Sequence, residues 1–237
     1  MQDEPITLSV VLPCYNPPDN WEDVVANTVD ILENKLGIPF ELLVVNDGST
    51  RNCEAERFNK LKKEHPNTQV LTHEVNMGKG RALRTGVQKA SGSLIIYTDI
   101  DFPYNDESFT ALFVELKAGS DVVLGHRDLE YYRHTPFLRR LISKTLRFCL
   151  KSLLKLPTDD SQCGIKGFNR SGKAVFLGTT IDRFLFDLEF IKLVSMHGLT
   201  VRNVDVQLKP NVIFSKVNIR ILLRESRNFL KILFRRK

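Results

Sequence analysis

The sequence predicts an α/β fold, a mostly parallel central sheet with helices on both faces, accompanied by basic amphipathic helices. Three observations carry this reading. Short apolar runs alternate with segments of helical period over the first 125 residues, the order that builds βαβ units. Polar, turn-forming residues follow several of those runs, where open α/β sheets receive ligands. The chain has 237 residues, 42% of them apolar and 26% charged, enough to bury a core without disulfide or metal staples.

The elements follow in order. Residues 8–12 are a short apolar run ended by Pro13 and read as a buried strand. Residues 21–36 have helical spacing, with Asp19 or Asn20 as the cap. Residues 40–45 form a second strand, followed by Asn46-Asp47-Gly48-Ser49. A polar helix at 54–64 and a third strand at 69–73 lead to a Gly-rich turn opening at Gly78, then a helix at 82–90. A fourth strand at 94–97 ends at Asp99-Ile100-Asp101; a helix at 109–117 and a fifth strand at 121–124 follow. Beyond them the pattern predicts a long helix at 136–156, a polar turn-rich stretch at 159–167, a helix at 187–196 and a strand at 201–208. Residues 1–215 read as a single domain and 216–237 as a basic amphipathic tail.

The net charge of +6 is concentrated in that tail. From Lys216 to Lys237 there are eight Lys or Arg and one Glu, a balance of +7, which leaves −1 for the remainder. In the tail Ile219, Leu222, Leu223, Leu230, Leu233 and Phe234 recur at helical spacing among basic residues, and Leu138, Leu141, Ile142, Cys149 and Leu153 do so in the 136–156 segment. Such helices suit an anionic membrane surface or a core-packed helix with a solvated basic face. No nucleic-acid-binding motif accompanies them. No apolar run approaches the roughly 20 residues that span a bilayer. The cysteines, Cys14, Cys53, Cys149 and Cys163, form no Cys-x-x-Cys pair, which argues against zinc. With no apolar signal core at the N-terminus, a reducing cytoplasm is the expected setting.

Asp99 and Asp101 are the sharpest chemical candidates. In extended chain, side chains two apart share a direction, and paired carboxylates invite a hard cation such as Mg²⁺ or Mn²⁺. A solvated acidic loop has the same spacing. Asp47 fits a tight turn, or a carboxylate that accepts from a nucleobase or ribose. Asn76-Met77-Gly78-Lys79-Gly80-Arg81 resembles a phosphate cradle, without the spacing of a P-loop or a dinucleotide fingerprint.

Together these segments resemble the family 2 glycosyltransferases, in the dolichyl-phosphate mannosyltransferase and polyprenyl-phosphate glycosyltransferase branch. The matching pieces stand in the family's order from about residue 9 to 206: the strand through Pro13-Cys14-Tyr15-Asn16, Val45-Asn46-Asp47-Gly48-Ser49, Asn76-Met77-Gly78-Lys79-Gly80, Asp99-Ile100-Asp101, Gly125-His126-Arg127, the run from Asp160 through Gln162 to Lys166, and Phe186-Asp187-Leu188-Glu189. The resemblance implies an A-type glycosyltransferase fold, a nucleotide-sugar donor, inversion at the anomeric carbon and a lipid-phosphate acceptor. It divides the domain into a nucleotide-binding part, about 1–125, and an acceptor part, about 126–215.

It also implies roles. Asp99 and Asp101 hold a divalent metal, Mg or Mn. Pro13, Tyr15, Asn16, Asp47, Lys79 and Asp99 face the nucleotide-sugar. Arg127, Gln162 and Lys166 attract the acceptor phosphate. Asp99, Asp101, Arg127 and Asp187 form the catalytic set, with Glu189 beside them. Two departures stand out: Asn46 replaces an acid common in the family turn, and Pro103 stands where some members carry Gln. The expected setting is the cytoplasmic face of a membrane, with peripheral attachment, no nucleic acid, and a partner membrane protein or a second copy as candidate company. Two other readings are a family 2 enzyme acting on a glycan hydroxyl, with Asp187 as general base, and a non-catalytic nucleotide-binding scaffold.

Overall fold

Residues 7–127, 154, 156–158, 160–210 and 228–235 are described by a computed structural model of the chain. Its elements are β1 (Leu8–Cys14), α1 (Trp21–Leu36), β2 (Glu41–Asp47), α2 (Ala55–Glu64), β3 (Thr68–His73), α3 (Lys79–Lys89), β4 (Leu94–Tyr97), α4 (Asp106–Lys117), β5 (Val122–Arg127), β6 (Lys166–Phe168), α5 (Arg170–Leu177), α6 (Phe186–His197) and β7 (Val201–Val206). The strands form one seven-stranded sheet in the order β3-β2-β1-β4-β6-β5-β7. Every pair is parallel except those of β6, which runs antiparallel to both β4 and β5.

The two-residue period of the strands divides the core into two layers. Leu8, Val10 and Leu12 of β1, with Leu42 and Val44 of β2, face α1, α2 and α4. Val11, Leu43 and Val45 face the opposite way, toward α3, α5 and α6. Trp21 opens α1 in the first layer, its ring tilted against Phe58 of α2 at 5.2 Å, with its indole N–H donated to the Asn52 carbonyl at 2.7 Å. In the second layer Tyr97, Phe168, Phe176, Phe186 and Phe190 pack ring against ring. The sheet is thus covered on both faces, as parallel sheets require.

Several sequence expectations are corrected in detail. Asn20 is the N-cap of α1, as expected, but in the left-handed conformation, φ 59°, and without a side-chain capping bond. Helix α3 starts at Lys79, three residues early, so the Gly-rich segment is itself the helix start. Helix α4 starts at Asp106, where Asn105 accepts from the Ser108 amide. β5 runs on to Arg127. The 159–167 stretch hides β6, and α5 was not expected. Strand β6 is three residues long and contains Lys166, so no apolar run announces it; its strand character comes from ladders on both sides.

Most of the predicted 136–156 helix lies outside the described residues, as do 211–227 of the tail. Leu154 and Leu156 pack in the second core layer. Residues 228–234 are helical. The expected apolar face of this helix is split: Ile232 is buried and Phe229 and Leu233 pack on the second layer, while Leu230 and Phe234 face outward. Lys192 of α6 donates to the carbonyls of Ile232 and Leu233 at 2.5 and 3.0 Å, satisfying acceptors that a helix end leaves open.

Gly86 lets α3 lie directly on β1. A Cβ there would stand 2.4 Å from Val11 Cγ1 and 3.1 Å from Val45 Cγ2. A Gly86→Ala change is expected to lower stability by about 1–3 kcal/mol through overpacking, read as a reduced urea midpoint with an unchanged slope.

Candidate active site

Four chain segments meet at the carboxyl edge of the sheet. The end of β1 brings Pro13, Tyr15 and Asn16, the end of β2 brings Asp47, the end of β4 brings Asp99 and Asp101, and the start of α3 brings Lys79. Tyr15 is exposed, with half of its surface open. Asn16 is held at φ 45°. Its amide N–H donates to Ser49 Oγ at 3.0 Å, and its side-chain oxygen accepts from the amides of Thr50 and Arg51 at 2.8 and 3.1 Å. The side chain expected to face the nucleotide thus also fastens the loop after β2 to the end of β1.

Asp47 is buried. Its carboxylate accepts from His73 Nδ1 at 2.7 Å, from the Met77 amide at 2.9 Å and from the Gly78 amide at 2.8 Å. Its neighbour Gly48, at φ 68°, lies where a Cβ would be 2.4 Å from the backbone of Val75, so the turn and the Gly-rich segment are in direct backbone contact. Asp47 therefore orders the entry to α3, a task that turn chemistry alone did not disclose.

Asp99 and Asp101 do not follow the extended geometry expected of them. The chain turns there: the Phe102 amide donates to the Asp99 carbonyl at 3.0 Å, and Phe102 adopts φ 42°. The acids still act on one another. Asp101 is exposed at the surface, yet partial enclosure of its carboxyl, then the nearby Asp99 charge, pushes it above its ordinary range, against a backbone hydrogen bond and the charges of Lys79 and Lys209. A divalent cation relieves that kind of crowding, and carboxylate oxygens are the donors that Mg²⁺ or Mn²⁺ takes. The pair therefore fits such an ion. No group of three or more His, Cys, Asp or Glu is gathered for a metal among the described residues; Asp99 and Asp101 stand there as a pair.

Lys79 reaches Asp99 Oδ1 at 2.5 Å. Burial opposes its charge, but Asp99, Asp187 and Asp101 outweigh it and raise its pKa, so it stays an ammonium. Gly164 closes over the same carboxylate, since a Cβ there would lie 2.9 Å from Asp99 Oδ2. Tyr104 holds that loop, its hydroxyl accepting from the Gly164 amide at 2.9 Å.

The acceptor-side candidates divide. Arg127 makes a two-pronged ion pair with Asp160, at 2.8 and 2.6 Å, and Asp160 is fully buried. Gln162 is exposed on the adjoining turn. Lys166 was expected to attract the acceptor phosphate. Its ammonium is instead enclosed, donating to Asp187 Oδ1 at 2.8 Å and to the Cys163 carbonyl at 2.5 Å. The Tyr97 hydroxyl also donates to Asp187 Oδ1, at 2.5 Å. The physical reason is the short strand β6: its alternation turns Lys166 inward, and only a buried carboxylate makes that tolerable. Glu189 faces a different neighbourhood. It accepts from the amides of Thr180 and Ile181 at 2.9 and 2.8 Å and pairs with Arg235 of the tail.

Replacing Lys166 with Met strands a buried Asp187. The expected cost is about 3–5 kcal/mol of stability, measured by chemical denaturation. Unchanged stability with weakened acceptor binding would return Lys166 to the substrate.

Comparison with known proteins identifies the family and the fold. The family described as Glycosyl transferase family 2 matches residues 9–173. A dolichyl-phosphate beta-glucosyltransferase of Trichomonas vaginalis is 28% identical over 238 residues, covering 96% of this chain and 73% of that protein. The Drosophila melanogaster dolichyl-phosphate beta-glucosyltransferase is 26% identical, with 87% and 68% covered. Among solved structures, mannosyl-3-phosphoglycerate synthase from Rubrobacter xylanophilus superposes with a TM-score of 0.67 at 17% identity, covering 96% of this chain and 72% of that one. A mannosyltransferase from Pyrobaculum calidifontis in complex with GDP-Man and Mn²⁺ gives 0.63 at 15% identity, covering 97% and 64%. These structures share the fold, and the family match spans well over half of the sequence: the chain belongs to glycosyl transferase family 2.

Proposed function

We propose that this chain transfers glucose from a nucleotide-activated donor to a dolichyl-type polyprenyl phosphate at the cytoplasmic face of a membrane, with inversion at the sugar. The observation that carries the reading is the meeting of Asp99, Asp101 and Lys79 at the edge where β1 and β2 also end. The glucosyl group and the lipid phosphate are suggested by the names of the relatives.

Asp99 and Asp101 would hold Mg²⁺ or Mn²⁺, which when bound offsets charge on the departing nucleoside diphosphate. Lys79 adds a fixed positive charge beside them. Tyr15 offers an open aromatic face to the base, and Asp47 keeps the Gly-rich segment and the start of α3 in place, where helix amides attract phosphate. Arg127, fixed by Asp160, and the exposed Gln162 would receive the acceptor phosphate. Lys166 leaves that set and becomes the partner of Asp187.

A phosphate monoester has a second pKa near 6 and is largely anionic at neutral pH, so it needs alignment more than a strong base. The pairing of Asp187 favours this acceptor over a sugar hydroxyl. Asp187 Oδ1 is already occupied by the Lys166 ammonium and the Tyr97 hydroxyl rather than open to a substrate hydroxyl. No helix among the described residues is long and apolar enough to cross a membrane. The basic tail, 216–237, would contribute roughly 1 kcal/mol per cation at an anionic surface; the outward Leu230 and Phe234 would lie against it.

Incubation with UDP-glucose or GDP-mannose, Mn²⁺, and a short polyprenyl phosphate tests the reading. Sugar-charged lipid from UDP-glucose is expected only when both metal and lipid phosphate are present. Charging from GDP-mannose alone would overturn the sugar, and donor hydrolysis without lipid product would overturn the acceptor. Asp101→Ala should lower kcat/KM at least about 100-fold, near 2.7 kcal/mol; full activity would remove Asp101 from the metal.

A further inference from the structure

Two cysteines meet at the donor edge of the sheet. Cys14 ends β1 and is fully buried, while Cys53, in the turn before α2, is partly exposed. Their sulfurs are 3.5 Å apart, one thiol donating to the other. They come from the two segments that carry the donor-facing groups: Tyr15 and Asn16 follow Cys14 directly, and Asp47 to Thr50 lead into the Cys53 turn. Those segments are already stitched together by Asn16 with Ser49, Thr50 and Arg51, and by the Asn52 side chain donating to the Pro17 carbonyl at 2.9 Å. Both cysteines pack on the first core layer, but packing alone does not require that the two thiols meet sulfur to sulfur. Trp21 and Phe58 carry the apolar contacts between α1 and α2 without that meeting.

We propose that Cys14 and Cys53 are a thiol modification site, closing to a reversible disulfide that weakens donor binding. The two sulfurs have different tasks. Cys53 is the one that solvent reaches, and the hydrogen bond from Cys14 lowers its pKa to about 7 despite its burial, with Ser49 assisting. Cys14 is pushed up, by that same contact and by burial, and stays a thiol. This is the division of labour of an attacking and a resolving cysteine.

The oxidant is a small-molecule disulfide such as oxidised glutathione. The Cys53 thiolate attacks one of its sulfurs, breaking the S–S bond and releasing one glutathione thiolate. Cys14 attacks Cys53 Sγ and passes its proton to the departing glutathione sulfur, forming the intramolecular bond and releasing the second glutathione as a thiol. Two electrons pass from the cysteine pair to the glutathione disulfide, and two reduced glutathiones leave.

Bond formation draws the sulfurs from 3.5 Å to about 2 Å. Cys14 lies in the ladder, in register with Asn46 of β2, so the movement falls on the 48–53 loop. That loop carries the amides that Asn16 accepts, so Asn16 and Tyr15 shift with it. The disulfide itself is independent of the proposed function; its effect on the donor rests on that reading.

The test uses the full chain equilibrated in glutathione redox buffers, with peptide mass spectrometry under non-reducing conditions and calorimetric UDP–Mn²⁺ binding on the same samples. A Cys14–Cys53 peptide is expected, removed by dithiothreitol. UDP affinity is expected to fall about tenfold or more on oxidation, as a displaced binding loop implies. Cys53→Ser and Cys53→Ala should each bind UDP equally in oxidising and reducing buffer. Absence of the crosslinked peptide, or its appearance only with Cys149 or Cys163, overturns the site. A crosslink that leaves UDP affinity unchanged overturns the switch. Reduced protein that binds no nucleotide overturns the donor reading instead, and the peptide result still decides the disulfide.

Discussion

The Asp47 carboxylate is the constraint on which the site depends. It ends β2, reaches His73 at the end of β3, and receives the amides of Met77 and Gly78. His73 in turn meets Thr85 of α3 at 3.0 Å through its other ring nitrogen. One buried acid thus fixes where α3 begins. That start decides where Lys79 stands, and Lys79 stands on Asp99. Three amide or imidazole donors satisfy the charge, which makes its burial affordable.

The opposite side of α3 is held as firmly. Arg84 donates to the Ile181 carbonyl at 2.8 Å and pairs with Asp182, and the Arg81 amide donates to the Asp182 carbonyl at 3.2 Å. Gly80 has no room for a Cβ, which would lie 2.6 Å from the Ile181 oxygen. Glu189 and the tail residue Arg235 fasten the same 178–181 stretch from the other direction. The Gly-rich segment is therefore gripped between Asp47 and this stretch. Its glycines serve close backbone approach as much as phosphate access.

A second buried charge pair organises the contact between β6 and α6. Lys166 and Asp187 pair inside the protein, with Tyr97 completing the contact. Such a pair adds little net stability, but losing one member is costly. It fixes β6 against α6 and leaves Asp187 neutralised near Lys79. Family 2 motifs on both halves thus do structural work: Asp47, Glu189 and Lys166 hold segments, while Asp99, Asp101 and Tyr15 remain open enough to meet a ligand.

The βα alternation, the two-sided burial of the sheet and the three segments at its carboxyl edge are legible in the chain's own pattern, because apolar period and turn chemistry are local properties. Asp99 and Asp101 were legible as a pair for the same reason. The rest depends on contacts between distant segments. β6 exists because neighbours on both sides supply its hydrogen bonds, and three residues with a lysine among them carry no period. Lys166 points inward because Asp187, twenty-one residues away, neutralises it. Cys14 and Cys53 meet because β1 and the turn after β2 end side by side. Spacing announces which residues can carry charge or sulfur; which partner each one finds is a matter of long-range packing, to which no local pattern has access.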